Sequence, residues 1–450
     1  MTKLPAHPAS FRDNSGFVFA ENGTLYRQVN NNYKSHYELL LQSGLYEKLI
    51  EEKVLVAHEE VSTPIADADM HYKTLRPELV PFISYPYEWS FDQLKDAALL
   101  TLSINKTAIE HGMILKDATA YNVSFKKGRP IFIDTLSFET YNPELPWIAY
   151  RQFCQHFLYP LFLEHYCKIP AIQLLSVHLE GITAAFAAPL MPWKAKWNLG
   201  VRLHLLLQQS VSANGKGRTI QFSKQKMLQL LSHLESVVRS LKAGYPEQTT
   251  WNNYYEETIL GKDYLHAKAA IMKNWLSSFS GKTIVDFGAN DGYFSQLAAS
   301  YCEEVIAADF DASCINRAYL QHQPNIYPIV LDLTNPSPAI GFNNEERSKL
   351  SDRVKPQLSF ALALVHHLAI AKNIPLASIA SFFHSFEGDL IIEWVPKSDE
   401  KVKQLLSNRE DIFDLYTQDQ FELQFANYYT FEKSAIVPGT DRILYSLKRK

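Results

Sequence analysis

The sequence is poor in the residues that mark specialised classes of protein. Its 450 residues include only four cysteines, which form neither a CxxC pair nor the spacing of metal ligands: Cys154, Cys167, Cys302 and Cys314. We interpret them as reduced thiols of a cytoplasmic protein. The net charge of −4 gives no electrostatic basis for binding nucleic acid. Charges and prolines interrupt the apolar runs before membrane length, and residues 1–5 show no secretion signal, so we expect no membrane partner.

The remaining composition is typical of a globular chain with more than one domain. Hydrophobic residues make up 46% of the chain and charged residues 20%. A chain of 450 residues exceeds one ordinary core, so we expect two domains. The polar, turn-rich residues 244–251 place the boundary between 1–245 and 246–450. We predict an α+β first domain, with a small β lobe over about 1–88 and a helical lobe over about 89–245.

Residues 283–295 predict the ligand-binding turn of a doubly wound sheet. An apolar, β-prone run at 283–287 enters a turn that contains Gly288 and Gly292, and a helix is predicted from residue 293. Such sheets bind ligands outside the carboxyl ends of their strands, where this turn lies. Gly288 allows a ligand to approach the backbone, and Gly292 allows the helix to pack close to the strand.

Acidic residues follow the next two predicted strands. Asp309 closes the strand 304–309 about twenty residues after the turn, a spacing that suits a carboxylate accepting from both ribose hydroxyls. Asp332 follows the strand 326–331 and can reach the exocyclic amine of an adenine, with Leu333 against the ring. The turn lacks a third glycine, and Asp291 would repel a pyrophosphate. These features favour a ligand without charged phosphates; a Rossmann-like domain that binds NAD or a nucleotide is the alternative.

Four motifs carry a family resemblance: Val285-Asp-Phe-Gly-Ala-Asn-Asp-Gly292, Asp309 at the second strand end, Leu331-Asp-Leu333, and Ala363-Leu-Val-His-His-Leu368 after the fourth strand. Residues 261–450 thereby resemble the class I S-adenosylmethionine-dependent methyltransferases. The resemblance implies an α/β fold with a Rossmann-like, doubly wound, seven-stranded sheet, and S-adenosylmethionine as cofactor. Asp286 and Gly288 would hold its methionine part, Asp309 its ribose and Asp332 its adenine. The other predicted cofactor-binding residues are Asn290, Gly292, Phe310 and Leu333.

Three residues at later strand ends are candidates for the acceptor side of the site. His366 and His367 follow the predicted strand 358–365, and a histidine can act as a general base because its unperturbed pKa lies near neutrality. The same triplet with Leu368 is structural in many methyltransferases. Glu393 ends the strand 389–393, where it would bind an acceptor hydroxyl or amine or cap the next helix. Methyl transfer is an in-line displacement, and we predict no metal in that step.

The first domain contains a second group of informative residues. A hairpin around 21–23, a helical region at 33–53, strands within 54–61 and 73–79, a connector at 81–89 and a helix at 91–111 are predicted before it. Leu115-Lys-Asp-Ala-Thr-Ala-Tyr-Asn122 then leads into a hairpin that ends at Asp134. This spacing resembles the catalytic loop and metal-binding segment of protein kinases and small-molecule kinases. The resemblance implies Asp117 as the proton acceptor and Asn122 and Asp134 as magnesium ligands on ATP.

The first domain also departs from the kinase pattern. No glycine-rich loop covers the phosphates, and Arg27 is the basic residue nearest to the position of the missing lysine. Leu-Lys precedes Asp117, and Asp134-Thr-Leu replaces Asp-Phe-Gly. Three interpretations stay open: an active kinase, a kinase-like module that binds a ligand or supports the other domain, and a coincidence. In the last case Asp117 and Asn122 cap turns and Asp134 ends a strand.

Together, the two groups of motifs resemble a set of bacterial proteins, some of which are labelled nodulation proteins. That resemblance implies a small-molecule or glycan acceptor. Three hypotheses follow: a methyltransferase with a kinase-like accessory domain, a bifunctional enzyme that also binds ATP and magnesium and phosphorylates, and a non-catalytic scaffold with a vestigial cofactor fold. We further expect a polar surface insertion at 335–352 and closing strands at 421–425, 428–431 and 442–447. The sequence predicts no oligomeric state.

Overall fold

The computed structural model describes residues 4–209, 223–245, 261–407 and 409–450. The chain forms two compact units. Unit 1 comprises Met1–Tyr245 together with Ala339–Ser348, and unit 2 comprises Pro246–Pro338 together with Lys349–Lys450. The predicted basic link at 212–218 and most of the predicted boundary segment lie outside the described residues.

Unit 1 begins with a four-stranded antiparallel sheet in the order β1-β2-β4-β3. Its strands are β1 (Gly16–Glu21), β2 (Thr24–Asn30), β3 (His58–Val61) and β4 (His71–Pro77). Asn22 and Gly23 have φ values of 49° and 77°, as a two-residue hairpin turn requires, which confirms the predicted hairpin. The helical region after it is divided into α1 (Lys34–Gln42) and α2 (Leu45–Glu51), because Gly44 takes a left-handed φ of 74°.

The rest of unit 1 is mainly helical around two short pairs of antiparallel strands. Strands β5 (Met113–Leu115) and β8 (Phe138–Thr140) pair with each other, as do β6 (Val123–Lys126) and β7 (Arg129–Phe132). The helices are α3 (Phe91–Glu110), α4 (Tyr150–Phe153), α5 (Tyr159–Phe162), α6 (Ala184–Leu190), α7 (Leu199–Val201) and α8 (Lys224–Ser240). Wider π-helical turns, Cys154–Leu158, Leu163–Cys167 and Arg202–Leu206, adjoin α4, α5 and α7.

The segment Ala339–Ser348 is a small hairpin that packs within unit 1, and we call it the inserted hairpin. Ile340 and Arg347 exchange two backbone hydrogen bonds of 3.0 Å across it. Glu346 is buried and accepts a 2.6 Å hydrogen bond from Arg12 Nε. The amide of Ser348 donates to Tyr85 Oη at 3.0 Å. The expectation of a plain surface insertion is therefore wrong for the end of this segment.

Unit 2 contains a seven-stranded sheet in the order β11-β10-β9-β12-β13-β15-β14. The strands are β9 (Thr283–Phe287), β10 (Glu304–Asp309), β11 (Ile326–Val330), β12 (Leu358–Ala361), β13 (Asp389–Trp394), β14 (Tyr429–Ile436) and β15 (Ile443–Arg449). Neighbours among β9 to β13 are parallel, and β15 is antiparallel to β13 and β14. The α/β fold with a seven-stranded sheet is thus confirmed.

Helices connect these strands and bury the sheet. They are α9 (Gly261–Leu276), α10 (Tyr293–Ala298), α11 (Ala312–Leu320), α12 (Leu350–Arg353), α13 (Leu376–His384), α14 (Glu400–Leu406) and α15 (Gln418–Ala426). One core cluster joins Met272 and Leu276 of α9 to Ile284 and Phe360 of β9 and β12. In the described parts of the chain, no helix has the length and apolar character needed to cross a membrane.

Two predicted strands of unit 2 differ from those observed. The expected strand at 421–425 is part of α15, because the Thr417 hydroxyl accepts from the Gln420 amide and starts a helix there. Phe421 and Phe425, four residues apart, then lie buried on one face. The expected strand 358–365 ends at Ala361, since Ala363 has a left-handed φ of 50°.

Candidate cofactor cavity

A cavity of about 470 Å³ lies where the parallel strands of unit 2 end. Residues that follow β9, β10, β11 and β12 form one continuous wall, as expected for the ligand crevice of a doubly wound sheet. The predicted site residues on this wall are Gly288, Asn290, Asp309, Phe310, Asp332, Leu333 and His367. The volume is that of an ordinary small-molecule site.

The turn between β9 and α10 is fixed against the neighbouring strand. The amides of Gly288 and Ala289 donate to the Ala308 carbonyl at 2.8 and 3.0 Å. Gly288, Asn290 and Gly292 have left-handed φ values of 76°, 53° and 89°. A Cβ on Gly288 would lie 3.5 Å from Leu364, an ordinary contact distance, so the backbone conformation rather than crowding requires glycine there. Gly292 precedes α10 and does not belong to the cavity wall.

Asp309 links the glycine turn to the end of β10. Its Oδ2 accepts from the Asn290 amide at 2.8 Å, and its Oδ1 accepts from the Asp311 amide at 2.9 Å. The side chain is buried at the wall, and this burial raises the pKa of its carboxyl to about 6. Above that pH Asp309 presents a negative charge to the cavity, and its two oxygens have more lone pairs than the backbone amides use.

Asp286 and Asp332 have different surroundings from Asp309. Asp286 is buried behind the wall, where its Oδ2 accepts from Ser295 Oγ at 2.7 Å. Burial raises its pKa to about 6. Asp332 is exposed on the wall, and its Oδ1 accepts from the amide and hydroxyl of Thr334 at 2.8 and 2.7 Å. Two of the three predicted acids therefore line the cavity, and the third lies behind it.

The two histidines after β12 are not equivalent. His366 is fully buried and off the cavity wall, and neither ring nitrogen has a hydrogen-bond partner among the described residues. Burial lowers its pKa well below the ordinary value. His367 lies on the wall, and burial, together with the charges of Arg442 and Lys401, lowers its pKa to about 4. A His367 ring is thus neutral at physiological pH and able to accept a proton only weakly.

Glu393 belongs to a buried ionic network at the end of β13. Its Oε2 lies 2.5 Å from Lys268 Nζ, and its Oε1 accepts from Tyr264 Oη at 2.5 Å. Arg442 donates to Tyr264 Oη at 2.9 Å and binds Asp399 through Nε and Nη2 at 2.8 and 3.0 Å. Tyr264 and Lys268 lie on the cavity wall, whereas Glu393 does not.

Sequence reasoning missed Lys268 and Arg442. One signal for Lys268 was present, since Tyr264 and Lys268 are four residues apart on a helix and therefore share a face. No local pattern indicated Arg442, because its partner Tyr264 is 178 residues away along the chain.

Unit 1 brings its four predicted residues into one polar cluster. Arg27 of β2 forms an ion pair with Asp134, which also accepts from the Ser137 hydroxyl. Asn122 Nδ2 donates to the same hydroxyl at 2.9 Å. Burial and the charge of Asp134 raise the pKa of Asp117. In the described residues, no set of three or more His, Cys, Asp or Glu side chains is arranged to hold a metal ion.

The inserted hairpin contacts the loop that carries this cluster. The Arg347 guanidinium lies 4.1 Å from the centre of the Tyr121 ring, next to Asn122 in sequence. His156 also contacts Tyr121 edge to face, with ring centres 6.0 Å apart, and burial and Arg347 lower its pKa to about 3. The loop between Asp117 and Asn122 is thus held by a guanidinium–aromatic contact.

The seventh strand of unit 2 lies antiparallel between the fifth and the sixth, and an acid-bearing cavity lies at the ends of the parallel strands; together they define a fold of the Rossmann-like methyltransferase class. The whole sequence is similar to nodulation protein NoeA of Rhizobium meliloti strain 1021, with 31% identity over 460 aligned residues, 98% of this chain and 95% of that protein. The chain belongs to the NoeA family of nodulation proteins. No protein-family model matches the sequence.

Solved methyltransferases resemble part of the chain only loosely. N-methyltransferase NodS of Bradyrhizobium japonicum WM9, in complex with S-adenosyl-L-homocysteine, is 12% identical, with a TM-score of 0.33 over 43% of this chain and 89% of that one. The magnesium protoporphyrin IX methyltransferase ChlM of Synechocystis PCC 6803, with bound SAM, is 14% identical, with a TM-score of 0.29 over 43% and 87%.

Proposed function

We propose that unit 2 binds S-adenosylmethionine and transfers its methyl group to a small-molecule or glycan acceptor. The observation that carries the proposal is the set of acids at successive strand ends, with Asp309 and Asp332 on one cavity wall and Asp286 behind it. S-adenosylmethionine supplies a methyl group bound to a sulfonium sulfur. An acceptor lone pair attacks the methyl carbon, and the C–S bond breaks with its electron pair on the sulfur. The cavity of about 470 Å³ has room for a small acceptor or one end of a glycan beside the cofactor.

The residues of the chain fit this cofactor by charge and by hydrogen-bonding capacity. Asp309 keeps lone pairs for the two ribose hydroxyls, and the exposed carboxylate of Asp332 can accept from an adenine amine. Phe310 and Leu333, also on the wall, give apolar contact for the adenine ring. The field of Asp286 acts on Lys268, so a negative and a positive side chain lie close together at the end of β9. Lys268 lies on the wall and can donate to the carboxylate of a methionine group through the N–H that Glu393 and Tyr264 do not use. Asp286 attracts the ammonium of that group from behind the wall.

The acceptor side uses His367 rather than His366 in this proposal. Only His367 reaches the wall, where its neutral ring can accept a hydrogen bond from an acceptor hydroxyl and take up its proton as the O–C bond forms. The low pKa of His367 suffices for this step, because the proton becomes strongly acidic once the oxygen is methylated. Glu393 acts through Lys268 and Tyr264, which it holds in place, and is a positioning residue. The chain supplies alignment and exclusion of water, the main requirements of an in-line displacement.

Isothermal titration calorimetry with S-adenosyl-L-homocysteine (SAH) tests the cofactor assignment. We expect binding by the purified protein and loss of at least tenfold in affinity in Asp309→Ala, because a charge-assisted contact to the ribose is removed. Asp332→Ala is a second variant that leaves the glycine turn untouched, and Asp419→Ala, on the exposed side of α15, is the matched control. Binding of NAD in place of SAH, or no SAH binding at all, would overturn the assignment.

We also propose that unit 1 is a kinase-like accessory module. The proposal is supported by the closeness of the Asp117, Asn122 and Asp134 side chains, which lie near the β5–β8 and β6–β7 strand pairs. The Arg27 guanidinium, which stays protonated, already neutralises Asp134. This ion pair favours a supporting module over a phosphorylating enzyme, because a magnesium ion would have to displace Arg27 to use the same carboxylate.

Calorimetry with ATP, with and without magnesium, separates an accessory module from a bifunctional enzyme. We expect no magnesium-dependent ATP binding in the whole protein. Magnesium-dependent binding that is lost in Asp134→Ala and kept in Asp13→Ala, a control acid on the same unit, would replace the accessory role with a second activity. The result does not depend on SAH binding, so the accessory role of unit 1 is tested separately from the methyltransferase function of unit 2.

A further inference from the structure

Charged side chains on the cavity wall are sorted by sign along the strand ends. Among the described residues, the carboxylates of the wall are Asp309 and Asp332, which follow β10 and β11. The segments after β12 and β13 contribute two lysines to the wall, Lys372 and Lys401, and none of its carboxylates. Because β12 and β13 lie on the opposite side of β9 from β10 and β11, the sign changes from the nucleoside side to the acceptor side.

The remaining lysine of the wall contributes little net charge. Lys268 is paired with the buried Glu393, so the charges of this pair cancel. Lys401, half-buried on α14, and Lys372, exposed just beyond the turn that holds His367, place two ammonium groups on the acceptor side of the wall. The effect of Lys401 on the pKa of His367 places this charge near the ring.

Besides these lysines, the same side of the wall presents the apolar side chains of Leu368 and Leu405 and the neutral polar side chains of His367 and Gln404. Leu368 and Leu405 flank the two lysines in sequence and line the cavity with them. An acceptor that fills this part of the cavity must therefore combine an apolar body with a group that matches two ammonium ions.

We propose that the methyl acceptor is an anionic molecule, with a carboxylate or phosphate bound by Lys401 and Lys372 and an apolar body against Leu368 and Leu405. The inference rests on the proposed methyltransfer at this cavity and adds the chemical class of the acceptor. The oxyanion near His367 places the rest of the acceptor at the point where the cofactor and acceptor sides of the wall meet. Neutral molecules of the same shape lack the charge that these lysines recognise.

Binding of simple amphiphiles to the SAH-saturated protein tests this proposal. Octanoate and octyl phosphate are the anionic probes, and octanamide is the neutral probe of similar shape. We expect each anion to bind at least about fivefold more tightly than octanamide, with a preference that falls as salt is raised. The double variant Lys372→Gln/Lys401→Gln is expected to lose that preference, whereas Lys403→Gln, an exposed lysine of α14 off the wall, keeps it. The better anion shows whether carboxylate or phosphate is preferred.

Each protein is titrated with SAH first, so that failure of the proposed methyltransferase function can be distinguished from failure of the anionic acceptor. A wild-type protein that does not bind SAH contradicts the proposed function. A protein that binds SAH but fails to bind either anion, or does not distinguish the anions from octanamide, overturns the anionic acceptor alone. The same conclusion follows if the double variant loses SAH affinity but not the preference for anions, because the lysines would then serve the carboxylate of the cofactor.

Discussion

Lys268 and Glu393 form an ion pair whose side chains are 3% and 0% exposed, with Nζ and Oε2 2.5 Å apart. Burial opposes the charge on Glu393, but Lys268 and Arg442 outweigh that effect and hold its pKa below the ordinary value. Arg442 is balanced in turn by Asp399. Two cations and two carboxylates therefore keep the network neutral, and they join α9 and β13 to the residues that immediately precede α14 and β15.

Removing one charge from this network is expected to be costly. Glu393→Gln leaves Lys268 buried without its counter-charge and should lower the free energy of unfolding by about 3–5 kcal/mol. Adding Lys268→Met removes the orphaned charge, so the double variant should lose less than the sum of the single variants. Urea denaturation measures both. Lys397→Gln, in the exposed pair Lys397–Asp411, is the control and should cost less than about 1 kcal/mol. Equal losses for the buried and exposed variants would contradict the prediction.

The burial of Asp286 makes the unliganded protein sensitive to pH. Its pKa is about 6 in the folded protein against 3.8 ordinarily, so the folded state binds the proton more tightly. Stability is therefore lost as pH rises through this window, by roughly 2–3 kcal/mol. Asp286→Asn keeps an oxygen for Ser295 and removes the charge. We expect it to be more stable than the wild type at pH 7.5 and no more stable near pH 4, while its affinity for SAH falls.

Urea denaturation of both proteins at pH 4 and pH 7.5 checks the effect of Asp286. An advantage of the same size at both pH values would assign it to packing and not to ionisation. The exposed variant Asp419→Asn serves as the control for a charge change on the surface of the same unit.

His366 should make the protein sensitive to acid. Because burial lowers its pKa, protonation favours the unfolded state as pH falls below the ordinary value of 6.5. The effect grows as the pH falls further below the ordinary value. His366→Leu removes both the titration and two buried nitrogens without a partner in the described chain, so its stability advantage over the wild type should grow from pH 7.5 to pH 5.

Thermal unfolding across this pH range measures the effect of His366. His266→Gln, on the exposed face of α9, provides the comparison, and we expect no growing advantage from it. A pH-independent difference for His366→Leu would show that this ring does not stay neutral in the folded protein.

Gly341 is required by the inserted hairpin for two reasons. Its φ of 91° is unfavourable for other residues, and a Cβ would lie 2.4 Å from Glu346 Oε2 and 2.6 Å from its Cβ. Gly341→Ala should therefore lower stability by about 1–3 kcal/mol and speed amide exchange at Arg347 and Ser348. Gly439→Ala shares the left-handed φ, at 79°, but meets no atom within 4 Å, so it isolates the backbone cost. Exchange rates at Arg347 that do not change would contradict the prediction.

The sequence predicted the sheet of unit 2 well because its central strands are buried on both faces. Such strands form continuous apolar runs, and those at 283–287 and 304–309 have the observed bounds of β9 and β10. The acids that follow them are local in sequence, so Asp309 and Asp332 could be placed at one edge before the structure was known. The predicted roles of these residues stay predictions until ligand binding is measured.

Partners far apart in sequence were not predictable in the same way. Glu393 is an acid near a strand end like the others. Only the fold shows that Lys268, 125 residues earlier in the chain, donates a hydrogen bond to its Oε2. His366 and His367 are neighbours with the same chemistry, but the turn after β12 buries one and exposes the other to the cavity. At 421–425, alternating apolar residues favoured a strand, whereas the cap at Thr417 and the spacing of Phe421 and Phe425 produce a helix.

The inserted hairpin determines when unit 1 can be completed during synthesis. The chain passes from unit 1 to unit 2 after Tyr245, returns for Ala339–Ser348, and passes to unit 2 again at Lys349. A ribosome that has made only the first 245 residues has therefore not yet produced the Arg347 that contacts Tyr121. The contacts of the inserted hairpin with unit 1 can form only after most of unit 2 has been synthesised, and a fragment cut at residue 245 lacks them.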